Sequence, residues 1–303
     1  MYQIGLKGNS LADGSDLVGR LAASPELPLL KAIIFLWLVD YHQHDFQSID
    51  QKPVGFQVKH MYILLGLRRN AQGYDCSHIK ERNNSSASGI YTIKPIGAKS
   101  SFQVFCEMRD DGGWTVIQKH NGNDGLSFDR TWAEYKMGFG NISKEHWLGL
   151  ENMKMLTNQA DRTSELLISL WEFGGSEAFA FYSTFKVGLE INFYQLSVGN
   201  YFGNAGDAFK GDKSDTNENG SFFSSKDKDN DKCNPCSSGD LVYKSCSNDR
   251  FHSGWWFNRC GIANLNGQWR PKGLNKGWAS AVHWQTWRKN ESLKSSMMYL
   301  RHH

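Results

Sequence analysis

The sequence predicts a strand-rich fold of antiparallel type, with short helices and an irregular C-terminal third. Three observations lead there. Segments that alternate apolar and polar residues are separated by glycine turns. Glycine is abundant and proline scarce, 30 against 6, which suits tight turns and bulges better than long helices. All six cysteines lie beyond residue 75, and four of them fall within 28 positions.

Residues 1–73 differ from the rest. They contain no cysteine and no steady period, and no a/d heptad supports a coiled coil. The expectation is a mostly irregular segment with one or two short helices. Apolar density peaks in LPLLKAIIFLWLV, residues 27–39, where Lys31 precedes AIIFLWLV as a basic residue precedes the apolar part of a signal sequence. The run is short of the roughly 20 apolar residues of a membrane span. Two explanations stand: a signal sequence displaced by an abnormal upstream start, or a stray amphipathic element.

From Tyr74 the texture changes. GIYTIKP (Gly89–Pro95), SFQVFCEM (Ser101–Met108) and WTVIQKH (Trp114–His120) read as strands, the last two separated by Gly112–Gly113. Phe128, Trp132 and Tyr135 share one helical face in FDRTWAEYKMGFG (Phe128–Gly140), a helix closed by glycine. Lys144–Gln159 gives a second helix. Strand character returns at Glu165–Phe173, Glu177–Val187 and Phe193–Tyr201, and once more at Ser295–Leu300. Between Asn204 and Gly277 the sequence is rich in Gly, Asn, Asp and Ser. A long irregular stretch of this kind is functional or disordered, and the density of tryptophan in GWWFNRC argues for order.

With 34 basic and 31 acidic residues the net charge is +3, so nothing marks a nucleic-acid face. No GxSxG, HExxH or Walker pattern occurs. His252 and His283 stand beside aromatics and read as packed residues, and Glu151 and Glu172 as surface charges. The protein is not expected to be an enzyme. Asn-x-Ser triplets at Asn83 (overlapping Asn84), Asn141, Asn219 and Asn290 are compatible with secretion and glycosylation. Local proximity favours Cys76–Cys106 and Cys246–Cys260 bridges, which would place the protein in an oxidising compartment. Cys233 and Cys236 are left for each other or for a metal. Their CxxC spacing admits zinc, redox or structural-disulfide readings, of which the small disulfide is favoured.

SSKDKDNDKC, Ser224–Cys233, sets Asp227, Asp229 and Asp231 at alternate positions. Crowded carboxylates repel one another unless solvated or holding a cation. An EF-hand would need Gly and Glu where Lys232 and Ser238 stand, and is rejected. Two readings remain: a different calcium loop, with two aspartates and nearby carbonyls, or a solvated loop neutralised by Lys226, Lys228 and Lys232.

YDCSHI, SGIYTIKP, FQVFCEM, GGWTVIQK, FDRTWAEYKMGFG, HWLGLENM, GNAGDAF, KDKDNDKC, GWWFNRC, ANLNG and WQTW follow one another in order. Together they resemble the fibrinogen C-terminal-related domain over residues 74–303. Within that family they look nearest to the angiopoietin-like proteins, with the CNPC run similar to one member in particular. The resemblance implies an α+β fold: a small N-terminal disulfide lobe, a central twisted antiparallel sheet with flanking helices, and a loop-rich C-terminal lobe. It implies the Cys76–Cys106 and Cys246–Cys260 bridges. It also implies a calcium site with Asp229 and Asp231 as side-chain ligands and carbonyl ligands near Cys233 and Pro235, where the CNPC insertion would reshape the loop and weaken binding. Members of the family often carry a His after the second disulfide, then an Asp and an Arg, to bind a peptide amine or an acetyl group. Here Gly261, Ala279 and Asn290–Glu291 stand at those positions, which disfavours amine binding. Trp255, Trp256, Trp284 and Trp287 remain, most of them expected in the core. The implied function is that of a secreted recognition domain for an extracellular receptor or matrix component. The alternative is lectin-like, calcium-dependent recognition of acetylated glycans.

Overall fold

Apolar–polar alternation resolves into one nine-stranded antiparallel sheet and three two-stranded ribbons. The structure is a computed structural model and describes residues 72–238, 241–274, 280–289 and 291–303. The expected signal-like run at 27–39 lies outside the described residues.

The backbone joins the sheet at Gln72, whose N–H donates to the Thr92 carbonyl at 2.7 Å. Helix α1 (Cys76–Arg82) starts on Asp75, whose carboxylate accepts the His78 N–H. Strands β1 (Gly89–Ile93), β2 (Phe102–Arg109) and β3 (Gly112–His120) form a meander. The Cys76–Cys106 disulfide pins α1 to β2.

Helix α2 (Trp132–Met137) is shorter than the expected 128–140. Thr131 opens it with a capping box: its hydroxyl accepts the Glu134 N–H, and Glu134 accepts the Thr131 N–H at 2.8 Å. Strands β4 (Phe139–Gly140) and β5 (His146–Trp147) pair with each other, and β5 also pairs with β3. The helix expected from Lys144 therefore starts only at Leu150, as α3 (Leu150–Thr157). Gly149, at φ +100°, separates strand from helix, a conformation that residues with a Cβ resist.

Strands β6 (Ser164–Trp171) and β7 (Glu177–Tyr182) form a hairpin. The single strand expected over 177–187 is broken at Ser183–Thr184. Strand β8 (Phe185–Val187) leaves the sheet to pair with β9 (Leu196–Val198), and β10 (Tyr201–Gly203) returns to the edge of β7. The strand expected over 193–201 starts only at Leu196, after the left-handed Phe193 and Tyr194 (φ 49° and 50°), and is broken again at Gly199–Asn200.

The C-terminal lobe holds β11 (Cys236–Ser238), β12 (Leu241–Tyr243), a π-turn at Cys246–Arg250, β13 (Ala263–Asn264), β14 (His283–Trp284) and α4 (Gln285–Arg288). Strand β15 (Ser295–His302) then runs between β3 and β6, so the sheet order is β1-β2-β3-β15-β6-β7-β10. The alternation of β6 buries Leu166, Ile168 and Leu170 on one face. That face meets an aromatic core in which Trp147, Trp255, Trp256 and Trp284 are buried. Each large apolar residue so buried stabilises the fold by about 1.5–3 kcal/mol. Trp287 is only partly buried.

Candidate cation loop and recognition surface

The acidic run sits in a loop fastened at both ends. Ser224 and Trp255 exchange backbone hydrogen bonds of 2.9 and 3.1 Å, and the Ser225 N–H donates to the Lys228 carbonyl at 2.9 Å. Asn230 donates its side-chain N–H to the Phe223 carbonyl and its backbone N–H to the Ser224 hydroxyl.

The three alternating carboxylates do different things. Asp227 accepts the Trp132 N–H at 2.7 Å and the Ser225 hydroxyl at 2.8 Å, so it serves the start of α2. Asp229 and Asp231 are adjacent: Asp229 Oδ1 accepts the Asp231 N–H at 3.2 Å. Asp231 is fully buried. Its Oδ1 accepts the Cys233 N–H at 2.9 Å, and its Oδ2 accepts the Cys246 N–H at 2.6 Å. Longer contacts of 3.4 Å run from Oδ2 to the Ser247 N–H and the Ser245 hydroxyl. Burial raises the Asp231 carboxyl against the lowering effect of the Cys233 and Cys246 N–H groups, and with the charge of Asp229 added it stands at about 6.

The lysines of the run do not neutralise this pair. Lys226 donates to the Asp129 carbonyl at 3.0 Å, with the Asp129 carboxylate 3.6 Å away. Lys228 lies 4.1 Å over the Trp132 ring and 5.1 Å from that of Phe193. Lys232 is exposed. Among the described residues, neither Asp229 nor Asp231 is held in an ion pair. A buried acid beside a second acid, with backbone carbonyls following, is a hard-oxygen donor set of the kind calcium takes. Of the expected carbonyl donors, Cys233 is buried and tied through its N–H to Asp231, while Pro235 is exposed. Cys233 is bridged to Cys236, and Cys246 to Cys260.

Beyond the second disulfide the backbone is unusual. Arg259, Cys260 and Gly261 all have positive φ, at 47°, 76° and 61°. The space a Cβ at Gly261 would take is filled by the Glu218 carboxylate. Glu218 is fully buried. It accepts the Ile262 and Ala263 N–H groups at 3.1 and 3.0 Å and the Trp255 indole N–H at 2.9 Å. Burial pushes its carboxyl well above the usual range, outweighing those three donors. Nothing in the sequence singles Glu218 out; it lies 43 positions before Gly261 in a Gly/Asn-rich loop. Ala279 and Asn290 fall outside the described residues.

The two histidines differ. His283 is buried, with Nδ1 2.7 Å from the Ala281 carbonyl, and burial lowers its pKa to about 4. His252, expected to be packed, is instead exposed. It lines an open cleft of about 400 Å³ with Phe128, Asp129, Trp269 and Arg270. Glu151 and Glu172, read as surface charges, both carry structural hydrogen bonds. Glu151 accepts the Tyr194 hydroxyl and the Lys154 ammonium, and Glu172 accepts the Gly174 and Ser176 N–H groups. Of the sequon asparagines, Asn83, Asn84 and Asn141 are exposed, and Asn219 is half-buried with its carbonyl accepting the Val198 N–H.

Among the described residues no helix is long and apolar enough to cross a membrane. A family model for the C-terminal globular domain of the fibrinogen beta and gamma chains matches residues 72–303. Fibrinogen-like protein 1 of Rattus norvegicus is 38% identical over 270 residues, covering 86% of this chain and 79% of the relative. Angiopoietin-4 of Bos taurus is 37% identical over 229 residues, 75% of this chain and 42% of its own length. The fibrinogen-like globe domain of human ANGPTL2 superposes with a TM-score of 0.65 at 37% identity, covering 75% of this chain and 98% of that one. A lamprey fibrin D-dimer complexed with the peptide Gly-His-Arg-Pro-amide gives 0.64 at 29% identity, covering 95% and 91%. The chain belongs to the family of the fibrinogen C-terminal globular domain.

Proposed function

We infer that this is a secreted, non-enzymatic recognition domain of the angiopoietin-like type, which docks on an extracellular protein receptor or matrix partner through its C-terminal lobe. In this reading a calcium ion is held by Asp229 and Asp231, with the backbone carbonyls of Cys233 and Pro235, and ties the acidic loop to the disulfide-closed segment behind it. The observation that carries the reading is Asp231: a fully buried carboxylate pressed against a second acid, while Lys226 and Lys228 turn to other partners. Unlike Glu218, Asp231 has a second acid beside it, and a cation would offset that repulsion, which the Cys233 and Cys246 N–H groups alone do not remove. The ion's part is structural, since it would join oxygens from two sides of the loop.

Two buried glutamates elsewhere in the domain are occupied, which supports recognition over catalysis. Glu145 accepts the N–H groups of Asn121 and Gly122 and the His120 ring, and Glu218 is closed in by three N–H donors. The lamprey relative holds a peptide with a terminal glycine amine. Here the acid nearest Gly261 is buried and engaged, so an amine would find no free carboxylate there.

Thermal melting with calcium and with a chelator tests the ion. Calcium should raise Tm for the wild type and leave Asp229→Ala/Asp231→Ala unchanged. Equal wild-type Tm in both conditions would remove the site. Saturable cell binding that survives glycosidase treatment supports the protein partner. Chelator-sensitive binding to acetylated glycans on an array would instead establish the lectin-like alternative.

A further inference from the structure

Four sulfurs meet in the C-terminal lobe. The Sγ atoms of Cys233, Cys236, Cys246 and Cys260 all lie within 4.8 Å of one another, and all four residues are buried. Two disulfides so close are chemically one site, because a thiolate released from either has the other within reach. The four residues are not equally sheltered. Cys236 is 6% exposed and Cys233 3%, against 2% for Cys260 and none for Cys246. Non-glycine backbone is held in the left-handed region at both bridges, at Lys232 beside Cys233 and at Arg259 and Cys260.

We propose that the two bridges form a thiol-exchange site, entered at Cys236 by a small-molecule or protein thiol and passed inward to Cys246–Cys260. The incoming thiolate attacks Cys236 Sγ. The Cys233–Cys236 bond breaks, a mixed disulfide forms on Cys236, and the electron pair leaves on Cys233 Sγ. The Cys233 thiolate attacks Cys246 or Cys260, forming a new bridge and releasing the other inner sulfur as thiolate. That sulfur attacks the mixed disulfide at Cys236 and expels the original thiol. Two disulfides are present before and after, and no net oxidation occurs. The exchanged pairing frees residues 259–261 from their closed turn, whose Arg259 N–H donates to the Asp231 carbonyl at 2.8 Å. The recognition face is thereby remodelled without a change in redox state.

Tryptic mapping reads the exchange directly. Cleavage after Lys232, Lys244, Arg250, Arg259 and Lys272 places Cys233 and Cys236 together in 233–244, Cys246 in 245–250 and Cys260 in 260–272. The starting pairing gives two products: an internally bridged 233–244, and 245–250 joined to 260–272. The native protein is incubated with substoichiometric reduced glutathione, and free thiols are blocked before digestion. The expected result is a single product joining all three peptides, with Cys76–Cys106 unchanged. Failure of the joined product to form, whether both original products persist or Cys236 stays glutathionylated while 245–250 remains joined to 260–272, overturns the proposal. In the Cys233→Ser/Cys236→Ser variant the entry is gone, and opening of Cys246–Cys260 should slow about tenfold or more. An unchanged rate would equally overturn it, and the wild-type map decides the matter if that variant does not fold.

Discussion

Glu218 shows how a single buried carboxylate shapes the turn after the second disulfide. It fills the place of a Cβ at Gly261 and accepts three N–H groups. Any larger residue after Cys260 would have to displace it. Because burial raises this carboxyl in the folded state, the folded protein holds the proton more tightly than the unfolded state does. The associated stability is full below the unfolded value of roughly 4.5 and is lost as pH rises through the folded pKa. Glu218→Gln stays neutral at every pH. The stability of the wild type relative to Glu218→Gln should therefore decline from pH 4 to pH 8 in urea unfolding; a flat difference would mean the same pKa in both states, and a rise would mean a carboxylate ionised in the folded state. Glu218→Ala removes the acceptor altogether and should cost about 1–3 kcal/mol for each N–H left buried and unpaired. The absence of a His after Cys260 was legible in the sequence. Its physical reason was not, because the residue responsible comes from a distant loop with no pattern of its own.

At the scale of elements, periodicity located the sheet strands and left their limits open. Period-two runs found β1, β2, β3, β6 and β15 within a few residues; β6 buries alternate residues, whereas β3 and β15, inside the sheet, bury consecutive residues on both faces. The helix expected from Lys144 failed at its first turn, where His146 and Trp147 pair with β3 and Gly149 resets the backbone. The same limit applies to the acidic run. Three aspartates at alternate positions look equivalent in sequence, yet Asp227 reaches 95 positions back to the N–H of Trp132. It therefore supplements the cap of α2, and Asp227→Ala should cost about 0.5–2 kcal/mol, as lost caps do. The shift of Tm on adding calcium should stay at the wild-type size, because Asp229 and Asp231 are untouched. Chemical denaturation measures the first and thermal melting with and without calcium the second, and a variant that keeps its stability but loses the calcium shift would reverse these roles.

Across the whole molecule, the last strand is the one that joins the two halves of the sheet. Strand β15 pairs with β3 through Ser296–Leu300 and with β6 through Ser295–His302. Met298 sits inside it, opposite Gln118 on one side and Ile168 on the other, and is fully buried. Proline there removes one N–H and forces its ring into a strand with neighbours on both sides, a position sheets do not tolerate. Met298→Pro should destabilise by about 3 kcal/mol or more, whereas Ser295→Pro, at the strand's first residue, should be far milder. Hydrogen exchange distinguishes central placement from edge placement. With β15 in the middle, Met298→Pro lowers amide protection in β3 and in β6 together, because each loses the neighbour that screens it from water. Protection lost on one side alone would mean that β15 is not shared, and that the lobes carrying the disulfides and the acidic loop are joined by some other contact.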